Sequence, residues 1–197
     1  MKTKLILASE SSIRSKILTN ANIYFESVPA KIDEESIKKS CLIENINLKQ
    51  ISNILADYKA KKISSKYPGV MVLGCDQTLI FKNELLSKTK NKTEVFNRLQ
   101  SMNNSEHTLF SSAVIYQDNI PVWRTTTKAI LKMRNNNDIY LNEYIDRNYN
   151  QIVKSTGCYM IEGEGIRLFK KIEGDYFTIL GIPLLPILDF LCIRGEI

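Results

Sequence analysis

The run Leu5-Ile6-Leu7-Ala8 leads into Ser9-Glu10-Ser11-Ser12-Ile13-Arg14. A second apolar run, Val72-Leu73-Gly74-Cys75, leads into Asp76-Gln77, with Lys88 twelve residues beyond Asp76. Each reads as a buried strand that stops at polar residues. One strand end would deliver hydroxyls and an arginine, which suit phosphate oxygens. The other would deliver a carboxylate, which suits a metal ion or a water to be activated. A pocket for a phosphorylated ligand and a metal follows, and it favours an enzyme over a passive binding module.

Each residue also has a plainer reading. Ser9, Ser11, Ser12 and Arg14 can form an anion site at a helix start, where free N–H groups and the helix dipole help. They can equally be an N-cap beside a surface arginine. Asp76 can hold Mg²⁺ or position water, or cap a strand–loop turn. Glu34 is a second candidate metal ligand, or one member of the acidic run Asp33-Glu34-Glu35. Lys59 shares the helical stripe Leu55, Lys59, Ile63, so it either snorkels outward or points into a pocket. Lys88 can reach a phosphate, and Glu162 can accept hydrogen bonds from a base edge; each is otherwise an ordinary surface charge. His107 is the sole histidine and supports no triad. The sequence lacks both the Gly-rich, Lys-containing phosphate loop and the dinucleotide-binding glycine fingerprint.

The elements that must place these groups alternate between strand and helix. Strands are expected over Lys4–Ala8, Ile23–Val28 and Val70–Leu73. A hairpin is expected from Thr78–Phe81 and Glu84–Leu86 around Lys82-Asn83. Long strands follow over His107–Tyr116 and Pro121–Met133, then a short one over Ile166–Phe169. Helices are expected from Ser11 or Ser12 to about Asn20, over Leu48–Lys66, Thr93–Met102 and Asp138–Asn148, and from Pro183 to about Leu191. The apolar face of the long helix reads as Leu48, Ile51, Leu55 and Tyr58. The class is α/β with antiparallel additions in the second half.

A length of 197 residues and a hydrophobic content of 44% allow one sizeable core. No apolar run approaches the roughly 18 residues of a membrane span, and the short run Leu5–Ala8 is no signal peptide. Cys41, Cys75, Cys158 and Cys192 are far apart, which argues against zinc and for reduced thiols. The net charge of +6 is spread along the chain. It attracts anions in general without marking a nucleic-acid binder.

In this order the segments LILASESSIRSKIL (5–18), FESVPAKIDE (25–34), LADYKAKK (55–62), VLGCDQT (72–78), ELLSK (84–88), YMIEGEG (159–165) and IEGDYFTILGIPL (172–184) resemble the Maf family of nucleoside triphosphate pyrophosphatases. The resemblance covers almost the whole chain. It implies an α/β fold related to the inosine-triphosphatase type: one domain over 1–197, a mixed sheet with flanking helices, and two lobes around a central cleft. It implies hydrolysis of a nucleoside triphosphate to the monophosphate and pyrophosphate in the cytoplasm, assisted by Mg²⁺ or Mn²⁺. No nucleic-acid or membrane partner is implied; the family is often dimeric, which leaves a homodimer open. By motif position, Asp76 is the implied catalytic base and, with Glu34, a metal ligand. Ser9, Arg14, Lys59, Gln77, Lys88 and Glu162 are the implied substrate contacts. The chain departs from the family's pattern in having Ser12 where proline is usual, and a single Arg14 where many members carry a pair; Lys16 is the nearest further cation. Gln77 and Glu162 resemble the branch acting on 7-methyl-GTP more than the branch acting on dTTP and UTP. A nucleotide-binding regulator of septum formation with little turnover is the alternative.

Overall fold

The computed structural model describes residues 5–197. In chain order the elements are β1 (Leu5–Leu7), α1 (Ser12–Asn20), β2 (Phe25–Ser27), α2 (Glu34–Ile43), α3 (Leu48–Ser64), β3 (Met71–Phe81), β4 (Glu84–Leu86), α4 (Lys92–Met102), β5 (Glu106–Gln117), β6 (Ile120–Met133), α5 (Asp138–Ile152), β7 (Phe169–Glu173), α6 (Tyr176–Ile179) and α7 (Leu184–Ile193). The α/β class is as expected. Lys4, assigned by its sequence to the first strand, lies outside the described residues. The chain divides into two units: residues through Gln77 with Phe110–Thr127 and Tyr176–Ile197, and Thr78–Leu109 with Lys128–Asp175.

In the first unit β1 pairs in parallel with β2 and with β3, Leu5 opposite Phe25 and Met71. The strand order there is β2-β1-β3-β5-β6. Two apolar layers flank this sheet. On one side Leu5, Leu7, Leu73 and Cys75 pack with Ile17, Leu18, Ile182 and Ile187 from α1 and the C-terminal segment. On the other, Ile6, Val72 and Val114 pack with Ala56, Ala60 and Ile63 of α3. Fully burying a side chain such as Leu55 stabilises by about 2 kcal/mol, so α3 is held by its stripe rather than by propensity. Lys59 is buried on the expected Leu55, Lys59, Ile63 stripe, whereas Tyr58, expected on the apolar face, is exposed.

β3 differs most from expectation. The predicted end at Leu73, with a separate strand from Thr78, is one continuous strand of eleven residues. Asp76 therefore lies in mid-strand and not at a strand tip. The alternation of side chains continues through it because its charge finds a cation in α3, so the polar residue does not break the ladder. Two further expectations also shift. The segment 164–168 is a 3₁₀ turn, which moves the strand expected at Ile166–Phe169 to β7. The short helix α6 was not foreseen.

In the second unit β4 pairs antiparallel with β3 after a turn in which Lys82 and Asn83 take positive φ, and β7 pairs antiparallel with β6. α4 packs against α5. His107 is buried here, its Nε2 bonded to the Tyr159 hydroxyl at 2.8 Å. Burial lowers its pKa from 6.5 to about 4. Between these values the unfolded chain binds the proton and the folded protein does not, so stability is lost as pH falls through that window. The loss approaches about 3 kcal/mol. Urea midpoints measured from pH 7 to pH 4 should decline accordingly, and His107→Phe should flatten that decline.

Candidate active site

The alternation of β3 sorts the site onto two faces. Even-numbered residues look toward α3 and odd-numbered ones toward α1 and the C-terminal segment. Gly74 makes the first approach possible: a Cβ there would lie 2.2 Å from the Ala56 carbonyl oxygen and 2.8 Å from the Ala60 nitrogen. Backbone cannot yield as a flexible side chain can. Gly74→Ala should therefore cost about 3 kcal/mol, read as a lowered melting temperature.

One residue along α3 from this contact, Lys59 meets Asp76. The ammonium donates to Asp76 Oδ1 at 2.5 Å and contacts Glu34 Oε1 at 2.6 Å. Lys59 and Asp76 are almost fully buried, while the Glu34 side chain is about one-third exposed. Asp33 caps α2 by accepting from the Ser36 N–H, which sets Glu34 at the first helical position. Burial raises the Asp76 carboxyl above its ordinary value; Lys59 and then Arg14 oppose the rise, and Glu34 adds to it. Two carboxylate oxygens from separate elements thus converge on one cationic centre. An all-oxygen pair of this kind fits a hard divalent ion, which usually takes one or two carboxylates and completes its shell with water and substrate phosphates. Among the described residues no group of three or more His, Cys, Asp or Glu side chains is placed to hold a metal.

On the other face, Ser11 caps α1 by accepting from the Arg14 N–H. The Arg14 guanidinium donates through Nε to the Gly181 carbonyl at 2.7 Å. Its Nη1 donates to the Cys75 carbonyl at 2.9 Å and to Ser9 Oγ at 3.2 Å. These hydrogen-bond partners are neutral, and the Asp76 carboxylate acts on the arginine through its charge alone. Gly181 has φ of +88°, and a Cβ on it would come within 3.2 Å of Arg14 Nη2 and 3.7 Å of Gln77 Cβ. Gln77, half-buried, donates through Nε2 to the carbonyls of Thr178 at 2.7 Å and Ile179 at 3.0 Å and to Ser111 Oγ at 3.1 Å.

Of the residues singled out from sequence, Ser9, Arg14, Glu34, Lys59, Asp76 and Gln77 come together around β3 in the first unit. Lys88 and Glu162 are exposed side chains of the second unit. Lys16 is exposed. Cys75 is fully buried and its thiol is pushed up to about 11, so it is no nucleophile at neutral pH. All four cysteines are free thiols. Ser111 was not singled out from the sequence, and the Thr178–Gly181 turn stood there only inside the motif 172–184, with no site role. Two adjacent serines, Ser111 and Ser112, inside an otherwise apolar strand were the available signal.

A family model described as Maf-like protein matches residues 4–193. A protein of Roseobacter denitrificans named nucleoside triphosphate pyrophosphatase is 46% identical over all of this chain and 99% of its own length. One from Caulobacter vibrioides with the same name is 43% identical over 99% of this chain and 98% of its own. A protein of Brucella abortus named 7-methyl-GTP pyrophosphatase is 39% identical over 99% of this chain and 100% of its own.

Proposed function

Because this chain belongs to the Maf family, we propose that it is a hydrolase converting a nucleoside triphosphate to the monophosphate and pyrophosphate. The observation that carries this reading is the buried Asp76 carboxylate, set against Lys59 and Glu34 and within electrostatic reach of Arg14. A passive binder has no need of a buried carboxylate with raised proton affinity, whereas a base is more effective for it.

Water held by Asp76 attacks the α-phosphorus. The bond to the bridging oxygen between the α and β phosphorus atoms breaks, and pyrophosphate leaves with that oxygen. Asp76 takes the proton of the attacking water. Lys59 has one ammonium proton beyond the two directed at carboxylates, and with Arg14 it neutralises charge on the phosphates and the leaving group. Ser9 Oγ, already bonded to Arg14, holds a phosphate oxygen. Glu34 and Asp76 would hold a divalent cation, Mg²⁺ or Mn²⁺, which when bound polarises the phosphoryl oxygens and lowers the pKa of water.

Among bases, 7-methylguanine or a similar modified guanine is favoured over thymine and uracil. The motif residues Gln77 and Glu162 resemble those of the family's 7-methyl-GTP branch more than those of its dTTP and UTP branch, which supports this reading. The relative from Brucella abortus carries a name of this kind. Among the described residues no helix is long and apolar enough to cross a membrane. We place the reaction in the cytoplasm, where nucleotides are abundant and free cysteines persist.

Incubating the protein with a panel of nucleoside triphosphates and Mg²⁺ or Mn²⁺ tests this reading. Pyrophosphate and monophosphate in equal amounts are expected. Stepwise release of single phosphates, or binding without turnover, would overturn it, the second result favouring a nucleotide-binding regulator.

A further inference from the structure

We infer that the second unit carries an anion site of its own, a cavity in which Arg134 and Arg167 grip a diphosphate group. Neither arginine takes part in the proposed reaction.

The cavity, of about 430 Å³, is lined by residues 134–137, Tyr140 and Arg167. That volume lies within the range of small-ligand sites. Backbone bonds fix its walls. The Arg134 N–H donates to the Leu168 carbonyl at 2.8 Å, and the Arg134 carbonyl accepts from the Asn104 N–H at 3.0 Å. Arg134, just past the end of β6, is thereby set beside the 3₁₀ turn that carries Arg167. The Asn136 N–H donates to Asn103 Oδ1 at 2.9 Å, and Asn103 Nδ2 donates to the Asn136 carbonyl at 2.7 Å. Asn137 caps α5 by accepting from the Tyr140 N–H at 2.8 Å. These polar groups are taken up in holding the loop, which leaves the two guanidinium groups to meet a ligand.

The charge of these groups is poorly matched within the protein. Among the described residues nothing accepts a hydrogen bond from the Arg134 side chain. Arg167 has Glu164 at 3.9 Å, beyond hydrogen-bond reach. That carboxylate is already engaged, because Arg147 donates to its two oxygens at 2.7 and 3.2 Å and Asn148 donates at 2.9 Å. Asp138, the next residue after Asn137, accepts instead from Gln100 at 3.3 and 3.4 Å. Two guanidinium forks therefore line one cavity with their donors largely unclaimed. Each fork matches the oxygens of one phosphoryl group, so the pair suits two linked phosphoryl groups. The Arg167 guanidinium lies over the Tyr140 ring at 5.2 Å, a cation–π contact that holds it in place. With the cation on that face, the ring offers no platform there for a nucleobase. The diphosphate, free or at the end of a nucleotide, is what the cavity recognises.

Pyrophosphate is titrated by calorimetry into the protein in the presence of a chelator, while the NMR signals of the arginine side-chain N–H groups are followed. The Arg134 and Arg167 signals should shift with occupancy. Arg134→Gln and Arg167→Gln should each weaken this binding about tenfold. Their melting temperatures should stay unchanged, because both side chains are exposed. Arg134→Lys should recover only part of the affinity, since it restores the charge without the fork. Phosphate and ADP complete the comparison. ADP binding as tightly as pyrophosphate upholds the site and shows that it accepts the end of a nucleotide; ADP failing to bind upholds it for free diphosphate. ADP binding tenfold more tightly than pyrophosphate, or phosphate binding as tightly, overturns the inference. So do unmoved Arg134 and Arg167 signals, or unchanged affinity in both glutamine variants. The Arg14 signal reports separately on pyrophosphate held around Asp76. Binding at Arg134 and Arg167 upholds this site even in a protein that hydrolyses no nucleotide. Pyrophosphate release without binding there overturns this site and leaves the reaction standing.

Discussion

Asp76→Asn lowers pyrophosphate release by about a thousandfold or more, while the protein stays folded. Asparagine matches the shape of aspartate and retains an oxygen that can accept from Lys59, which now donates to Asp76 Oδ1 at 2.5 Å. What disappears is the negative charge and the capacity to take a proton. Lys59 keeps Glu34 as its ionic partner at 2.6 Å, so no buried ammonium is stranded. The same change relieves the desolvation that raises the Asp76 carboxyl. These effects on stability oppose one another, and the melting temperature should move by only a few degrees. Calorimetry and a pyrophosphate assay on one preparation decide the matter. Undiminished release would remove Asp76 from the mechanism, and a collapsed melting transition would assign it a structural role.

Lys59→Met leaves Asp76 and Glu34 near one another without the cation between them. Turnover at neutral pH should fall about a hundredfold. The pH dependence carries a second signature. The charge of Lys59 is the largest influence lowering the Asp76 carboxyl against the effect of burial. Its loss raises that carboxyl further. The base works only when deprotonated, so the acid limb of the residual kcat/KM profile should move to higher pH. Stability should respond in the opposite sense. A carboxyl raised in the folded protein holds its proton more tightly than in the unfolded chain, so the variant gains stability as pH falls toward the unfolded value and loses it as pH rises through the folded one. Breaking a buried pair costs about 3–5 kcal/mol when the remaining charge stays ionised. A variant with wild-type turnover and an unmoved acid limb would separate Lys59 from the reaction.

Much of the scaffold was legible because local signals agreed with it. Ser11 caps α1 and Tyr67-Pro68-Gly69 ends the segment after α3, as their residue types require. The four-residue spacing of Leu55, Lys59 and Ile63 already placed a lysine on a buried stripe, and the structure supplies the carboxylates that let it stay there. Asp76 was misplaced at a strand tip for an understandable reason. A charged residue after an apolar run ordinarily marks the end of a buried strand, and only knowledge of its cation shows that the strand continues.

The sequence by itself determined the identity of the chemistry. Its order of motifs, its apolar periodicities and its single arginine among the early serines specified an α/β protein equipped for a polyphosphate. Tertiary structure decided how those groups point. Lys59 reaches Asp76 across 17 positions, Arg14 reaches Gly181 across 167, and Gln77 reaches Thr178 across 101. Local propensity carries no information about such partners. The direction of a charge or an amide is set by which backbone atoms the completed fold brings opposite it.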